Sequence, residues 1–363
     1  MNPRKGKPLE LSGSPRERGR AQAGLAPDLR DQVRDAVYGR LEPVLAVLAG
    51  QEISNWLRAQ KDFAFSAARD EVEEVIGIAE GFELDFDDLF AYLHLGIIHD
   101  MLARPSASAD GCTAWAASDG DLGAVVAKNR DFRGEHVALQ RVFRHWDPTW
   151  GGRRILCVGS LGSPGAYSSG INSDGLAIAD TQIGTTDHGV GLLRYFVMTR
   201  LLARARTVSQ ALEILSRIQH AGGGAIIMAD ARGDIAAVEL GHKKISICSR
   251  KADWVARTNH FLSSALMPYY LASPGDPMAI SSQGRMETVR AAIAKWSGKD
   301  LAEAGVLMSS HDSDDEGGLI GLCRHGEDGD ARTISTSLFT CRPSSLYFCP
   351  SNPCGGEWQT FTP

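Results

Sequence analysis

Two runs decide how this chain reads. The first is Asp110-Gly111-Cys112-Thr113-Ala114-Trp115-Ala116, and the second, after a short polar break, is Val125-Val126-Ala127-Lys128-Asn129-Arg130-Asp131-Phe132. Both have strand character, so the stretch predicts a hairpin with a thiol near its start and a carboxylate at its far end. A glycine before a cysteine frees the backbone for strained conformations and removes side-chain hindrance at the carbonyl before the thiol. Alone, Gly111-Cys112 equally describes a buried structural cysteine at a strand start.

Upstream, Pro105 to Gly111 is small and flexible, which predicts an exposed loop. Before that loop the chain reads as mostly helical. Lys7 to Ser12 fits a short strand. Ser14-Pro15 then opens a helix, with Ser14 as cap and Pro15 at the first helical position. Helical spacing runs from Leu29 to about Leu48, with Pro43 expected to kink or divide it. Glu71 to Ala79 is amphipathic, and a further helix runs from Asp85 to Leu102.

Downstream, strand-like runs recur at Ile155–Ser160 and Gly175–Ala179. A helical block follows, from Leu192 to Ala205 and then from Thr207, where Thr207-Val208-Ser209-Gln210 reads as a capping box. Strands resume at Ala225–Ala229, Ile235–Leu240, Lys244–Cys248 and Trp254–Thr258. Gln283 to Trp296 reads as a helix, and Thr333 to Phe348 as β-rich. Blocks of strands alternate with blocks of helices, which favours a layered α+β fold over a doubly wound parallel sheet.

The chain has 363 residues, 43% hydrophobic and 23% charged, enough for a sizeable core. A net charge of −6 argues against general nucleic-acid binding. Met1 to Leu9 lacks the apolar core of a signal peptide, and Leu89–Leu102 is interrupted by His94, His99 and Asp100. The expectation is a soluble, cytoplasmic protein with no membrane partner. A homo-oligomer is compatible with this composition. The seven cysteines form no Cys-x-x-Cys pair, so neither a disulfide framework nor a structural zinc is expected, and most should be small core residues.

What lifts Cys112 above the others is its company. Asn129-Arg130-Asp131 closes the paired strand, Thr258-Asn259-His260-Phe261 ends a later strand, and Arg332 begins the C-terminal β region. Cys, Asp, Asn and Arg suffice for amide chemistry at an N-terminal nucleophile. The thiol attacks, and the α-amino group of the same residue, with an ordinary pKa of about 7.7–8.0, takes the proton. An Asn amide can donate to the oxyanion, and Asp and Arg can orient the amine and balance charge.

These residues carry a family resemblance. Gly13-Ser14-Pro15-Arg16-Glu17-Arg18-Gly19, Gly77-Ile78-Ala79-Glu80-Gly81 with Asp85 to His94, Asp110-Gly111-Cys112-Thr113, Asn129-Arg130-Asp131-Phe132, Gly170-Ile171-Asn172-Ser173-Asp174-Gly175, Thr258-Asn259-His260 and Cys323-Arg324-His325 occur in order along nearly the whole chain. Together they resemble the acyl-coenzyme A:6-aminopenicillanate acyltransferase family of autoproteolytic N-terminal-nucleophile hydrolases. The resemblance implies a four-layer αββα sandwich and self-cleavage between Gly111 and Cys112. Residues 1–111 become a mostly helical α chain, and residues 112–363 a β chain carrying the core. It also implies acyl transfer or hydrolysis at small linear amides through a thioester. In that reading Cys112 is the nucleophile, Asp131 orients it, Asn259 stabilises the oxyanion and Arg332 supports the site electrostatically. The residues after Arg332, Thr333-Ile334-Ser335-Thr336, depart from the fungal pattern. Bile-salt hydrolases carry a second Asn after the Gly-x-Asn turn, where the nearest residue here is Gln182, whose role stays open.

The implied partners are a small amide or acyl-thioester substrate and the two halves of the same precursor, with no cofactor and no metal. Hydrolysis ranks ahead of acyl-coenzyme A-dependent transfer to a β-lactam or other amine, for lack of a coenzyme A signature. An uncleaved cysteine hydrolase using Cys112 with His260, and a non-catalytic binding protein, are the rivals. His311-Asp312 with Cys323-Arg324-His325 can be drawn as a metal site, which the resemblance does not support. Asp312 to Gly317 imitates a calcium loop whose closing Glu position holds Cys323. His220-Ala221-Gly222-Gly223-Gly224 lacks the lysine of a phosphate loop, and His260 is read as structural.

Overall fold

A computed structural model describes residues 3–102, 111–119, 121–249, 253–272, 275–296, 301–312, 320–326 and 331–363. The loop expected at 105–111 lies outside these residues except for Gly111, as does most of the acidic 312–317 stretch.

The quoted hairpin forms as strands Thr113–Asp119 and Gly123–Arg133, paired antiparallel with Ala114 opposite Lys128. Asp119 closes its turn by accepting from the backbone N–H groups of Asp121 and Leu122 at 2.8 and 2.7 Å. The hairpin sits in a seven-stranded sheet, flanked by Trp254–Arg257 on one side and Ala331–Cys341 on the other. A second, eight-stranded sheet runs from Ile245–Ser249 through Ile235–Leu240, Ala225–Ala229, Ala177–Thr181, Ser169–Asn172, Arg154–Ser160 and Gln140–Trp146 to Leu9–Ser12.

Three apolar clusters define four layers. Between the sheets, Ala114, Ala116, Ala124 and Val126 meet Leu156, Val158, Ile171 and Ile227. The small side chains on the hairpin let the sheets stack closely. The hairpin's other face, Trp115, Ala117, Val125 and Ala127, packs on helices Pro277–Ile293 and Leu301–Met308 through Met286, Val289 and Met308. The outer face of the eight-stranded sheet is covered by the N-terminal helices and by Arg194–Arg204 and Val208–Leu215. This is the αββα order implied by the family resemblance. Among the described residues no helix is long and apolar enough to cross a membrane.

The segment before Gly111 is helical and also part of both sheets. Leu9–Ser12 pairs in parallel with Gln140–Trp146, and Arg4–Lys5 with Gln359–Phe361. Ser14 caps helix Pro15–Leu25 in a capping box with Glu17. The helical run from Leu29 divides at Pro43, into Arg30–Leu41, a short 3-10 turn and Leu45–Leu48. Asp85–Leu102 is two helices, Phe86–Leu93 and Leu95–Met101, with Asp85 as cap. The 17-residue helix Gln51–Ala67 has few start and stop signals: its cap is Gly50 and it ends at Ala68. Helix Arg69–Phe82 crosses Pro15–Leu25 so closely that a Cβ at Gly19 would fall 2.1 Å from the Glu74 carbonyl oxygen. A Cβ at Gly77 would fall 2.1 Å from that of Arg16. The two glycine-bearing motifs near residues 13–19 and 77–81 are thus two halves of one helix crossing.

Candidate active site

Cys112 begins the hairpin at the mouth between the sheets, half-buried, with its thiol 3.8 Å from the Asp131 carbonyl oxygen. It lines a cavity of about 110 Å³ together with Lys128, Arg130, Asp131, Asp180, Gln182 and Arg194. Tyr92, Leu93, Gly96, Ile97 and Asp100, all from the segment before Gly111, complete the wall. The pocket is therefore built from both sides of the proposed cleavage point.

Asp131 is fully buried on the helix-facing side of its strand. Its Oδ1 accepts from the Thr333 hydroxyl at 2.7 Å, and its Oδ2 has no hydrogen-bond partner among the described residues. Burial pushes this carboxyl above the usual carboxylate range, and Arg285, Thr333 and Arg324 offset part of that. The free oxygen lies against Gly111: a Cβ there would sit 2.9 Å from it and 2.6 Å from Arg324 Nη1. The space left there accommodates a glycine and not a larger residue.

Arg285, from the middle of helix Pro277–Ile293, ties the site together. Its Nη1 donates to the Cys112 carbonyl at 2.8 Å and to Thr113 Oγ1 at 2.9 Å, and its Nη2 to Asn259 Oδ1 at 2.7 Å. Complete burial lowers its pKa to about 10, leaving it cationic at neutral pH. Fixing Asn259 Oδ1 on the guanidinium fixes which end of the amide donates. Asn259 Nδ2 gives one N–H to the Gln182 carbonyl at 2.9 Å, and an amide NH2 carries a second. That backbone oxygen is the part Gln182 contributes here.

Of the expected site residues, Gly111, Cys112, Asp131 and Asn259 come together. Arg332 lies opposite Phe132 in the strand ladder, with its guanidinium packed beside Gly134. The arginines beside the Gly111–Cys112 peptide are Arg285 and Arg324. Sequence reading missed both: Arg285 sits in a helix whose arginines all look alike in sequence, and Arg324 lies in a run that carries the family resemblance but assigns Arg324 itself no role. Lys128 was also missed. It donates to Ser168 O at 3.1 Å and pairs with Asp180, which also pairs with Arg194. Burial pushes Asp180 upward, but these two cations outweigh it and hold its carboxyl below the usual range. A lysine directly after the apolar run Ala124–Ala127, at a position that alternation turns toward the other sheet, was the available signal.

His260 is engaged with hydroxyl groups. Its Nδ1 lies 2.8 Å from Ser282 Oγ and 3.2 Å from Thr258 Oγ1, and burial lowers its pKa. Asn172, of the Gly-x-Asn turn, is fully used in structure. It donates to Leu202 O and Ala205 O and accepts from the backbone of Asp174 and Leu176.

The family model described as acyl-coenzyme A:6-aminopenicillanic acid acyl-transferase matches residues 115–354. The chain belongs to this acyltransferase family. No curated protein matches it significantly. Among solved structures, a variant of conjugated bile acid hydrolase from Clostridium perfringens is similar at 14% identity and a TM-score of 0.46, covering 69% of this chain and 97% of that one. Penicillin V acylase from Agrobacterium tumefaciens is similar at 14% identity and a TM-score of 0.43, covering 66% and 83%. For this acyltransferase-family chain, the layer order and the residues around Cys112 rest on its own geometry.

Proposed function

We propose that this protein is an autoproteolytic N-terminal-cysteine amidohydrolase or acyltransferase, activated by cleavage between Gly111 and Cys112. The observation that carries this reading is the convergence of an unpartnered Asp131 oxygen and the Arg285 guanidinium on the Gly111–Cys112 peptide. Cys112 Sγ attacks the Gly111 carbonyl carbon. The Gly111–Cys112 C–N bond breaks, and the thiol proton ends on the new α-amino group. Water then hydrolyses the thioester, leaving a Gly111 carboxylate and a free Cys112 terminus. Removing the Gly111 side of the peptide leaves Asp131 Oδ2 facing the new amine, which it can orient by accepting a hydrogen bond from its N–H.

The same thiol then attacks a substrate amide or thioester, its proton passing to the Cys112 amine and on to the leaving group. The second N–H of Asn259 is the candidate donor to the oxyanion, with Arg285 holding the amide in place. Water or an amine deacylates the thioester. Hydrolysis of small linear amides is the first reading, and acyl-coenzyme A-dependent transfer to a β-lactam or other amine the second. Since His260 is engaged with Ser282 and Thr258, an uncleaved Cys–His mechanism lacks geometric support. Residues 1–111 stay bound after cleavage, because they supply one strand to each sheet and a wall of the pocket.

Intact mass of the purified protein tests this. The expected result is two chains meeting at Gly111/Cys112 for the wild type and one 363-residue chain for Cys112→Ala. An active, full-length wild type would refute self-cleavage.

A further inference from the structure

Four metal-ligating side chains meet on the far side of the loop that carries Arg324. They are His311, just after helix Leu301–Met308; Cys323 and His325, before strand Ala331–Cys341; and Cys354, near the C-terminal end of the chain. Their ligand atoms all lie within 4.8 Å of one another. The edges are 3.1 Å between the Nε2 atoms of His311 and His325, and 3.7 Å between the two sulfurs. From His325 Nε2 they are 3.7 Å to Cys323 and 3.4 Å to Cys354.

Those lengths have a direct geometric meaning. A tetrahedral zinc with Zn–S of about 2.3 Å and Zn–N of about 2.0–2.1 Å separates two sulfurs by about 3.8 Å, two nitrogens by about 3.3 Å and a mixed pair by about 3.6 Å. These four edges fit their classes, and the two edges from His311 to the sulfurs lie within 4.8 Å. Three separate places in the chain, His311, the Cys323–His325 run and Cys354, bring these donor atoms together, and two imidazole nitrogens at 3.1 Å share at most one proton between them. The cysteines are free thiols. Outer-sphere support is present too: Asn352 Nδ2 donates to Cys323 Sγ at 3.4 Å and to Arg324 O at 2.7 Å.

We propose that His311, Cys323, His325 and Cys354 form a structural zinc site. Four protein ligands close the coordination sphere, which suits a structural rather than a catalytic ion, and an S2N2 tetrahedron selects zinc over magnesium or calcium. Binding displaces the thiol protons and leaves the metal as a neutral bis-thiolate, bis-imidazole centre. The proposal departs from the sequence expectation of no metal, which weighed His311, Asp312, Cys323 and His325 without Cys354.

The site fastens the loop that serves Cys112. Between ligands Cys323 and His325, Arg324 reaches the Gly111–Asp131 contact, and its backbone N–H donates to Thr333 Oγ1 at 2.9 Å, the hydroxyl that binds Asp131. Leu322 O accepts from Asn129 Nδ2 at 2.8 Å. Zinc would thus hold Arg324 and Thr333 in register with the scissile peptide.

Elemental analysis of tag-free, full-length protein purified without chelator should find about one zinc per chain. Cys112→Ala should bind the same amount, which separates this site from self-cleavage. His311→Ala and Cys354→Ser should each lose zinc to background. After chelator stripping, cobalt(II) should give tetrahedral d–d and thiolate charge-transfer bands with wild type and not with Cys354→Ser. The cobalt arm on wild type decides the matter if a variant does not fold. Wild type that takes up neither zinc nor cobalt would overturn the proposal. So would a Cys323→Ser/Cys354→Ser double variant that keeps its zinc, or a mass two hydrogens light from a Cys323–Cys354 disulfide.

Discussion

Arg285 Nη1 donates to the carbonyl oxygen of Cys112 at 2.8 Å, and the same guanidinium holds Asn259 through Nη2. One buried side chain therefore fixes both the nucleophile's backbone and the orientation of the proposed oxyanion donor. Arg285→Lys keeps the charge but not the fork, and a point charge cannot serve three acceptors in that geometry. Processing should slow by about 100-fold or more, read as the intact-mass ratio of precursor to product over time. Arg285→Ala should also cost about 3–5 kcal/mol in denaturant unfolding, because Asp131 loses its main counter-charge.

Gly111 is expected to matter for processing and not for turnover. A methyl group there meets Arg324 Nη1 and Asp131 Oδ2 at 2.6 and 2.9 Å. Gly111→Ala should slow cleavage by roughly 10- to 100-fold, equivalent to a barrier change of about 1.4–2.7 kcal/mol. The mature fraction, normalised to titrated Cys112, should retain wild-type activity, since residue 111 ends the α chain.

His260→Ala separates the two cysteine chemistries. With His260 Nδ1 engaged with Ser282 and Thr258, cleavage and amidase rates should change by less than about threefold. Stability should fall by about 1 kcal/mol from the lost buried polar contact. A rate loss of several orders of magnitude would restore the Cys–His mechanism.

Asp100 gives the precursor a pH dependence. It accepts from the Thr185 N–H at 3.1 Å beside the pocket, and burial pushes its carboxyl up to about 7. The folded state thus holds its proton more tightly than the unfolded chain, where the pKa is about 3.9. Stability from this group is present below pH ~4 and is lost as pH rises toward 7. The loss should be on the order of 2 kcal/mol, about half of the full shift, because the side chain is only partly removed from water. Asp100→Asn keeps an acceptor for Thr185 and should flatten that slope in urea midpoints measured across pH.

The crossing of Pro15–Leu25 over Arg69–Phe82 should be intolerant of a single methyl. In Gly77→Ala the new Cβ would lie 2.1 Å from the Arg16 carbonyl oxygen, and backbone cannot rotate away as a side chain would. The helices must separate, at a cost of about 1–3 kcal/mol. The expected readout is a lower denaturant midpoint with secondary structure preserved by circular dichroism.

Much of this molecule was legible from local physics. The hairpin from Thr113 to Arg133, the Ser14 cap, the strands Ala225–Ala229 and Ile235–Leu240 and the division at Pro43 all follow from side-chain period, capping oxygens and proline geometry, each set by residues within a few positions. Cys112, Asp131 and Asn259 were nameable because they stand at strand ends, where a sheet exposes functional groups. Arg285, Lys128 and the place of Cys354 beside His311, Cys323 and His325 were not. Arg285 reaches Cys112 across 173 positions of sequence, and Cys354 meets Cys323 across 31. No pattern along the chain encodes which of many arginines a closed sandwich will bury against one carboxylate. The sequence alone determined the alphabet of the site and the order of its elements. Only tertiary packing, by removing water from Asp131 and leaving the Arg285 and Arg324 guanidiniums within reach, decided which residues work together.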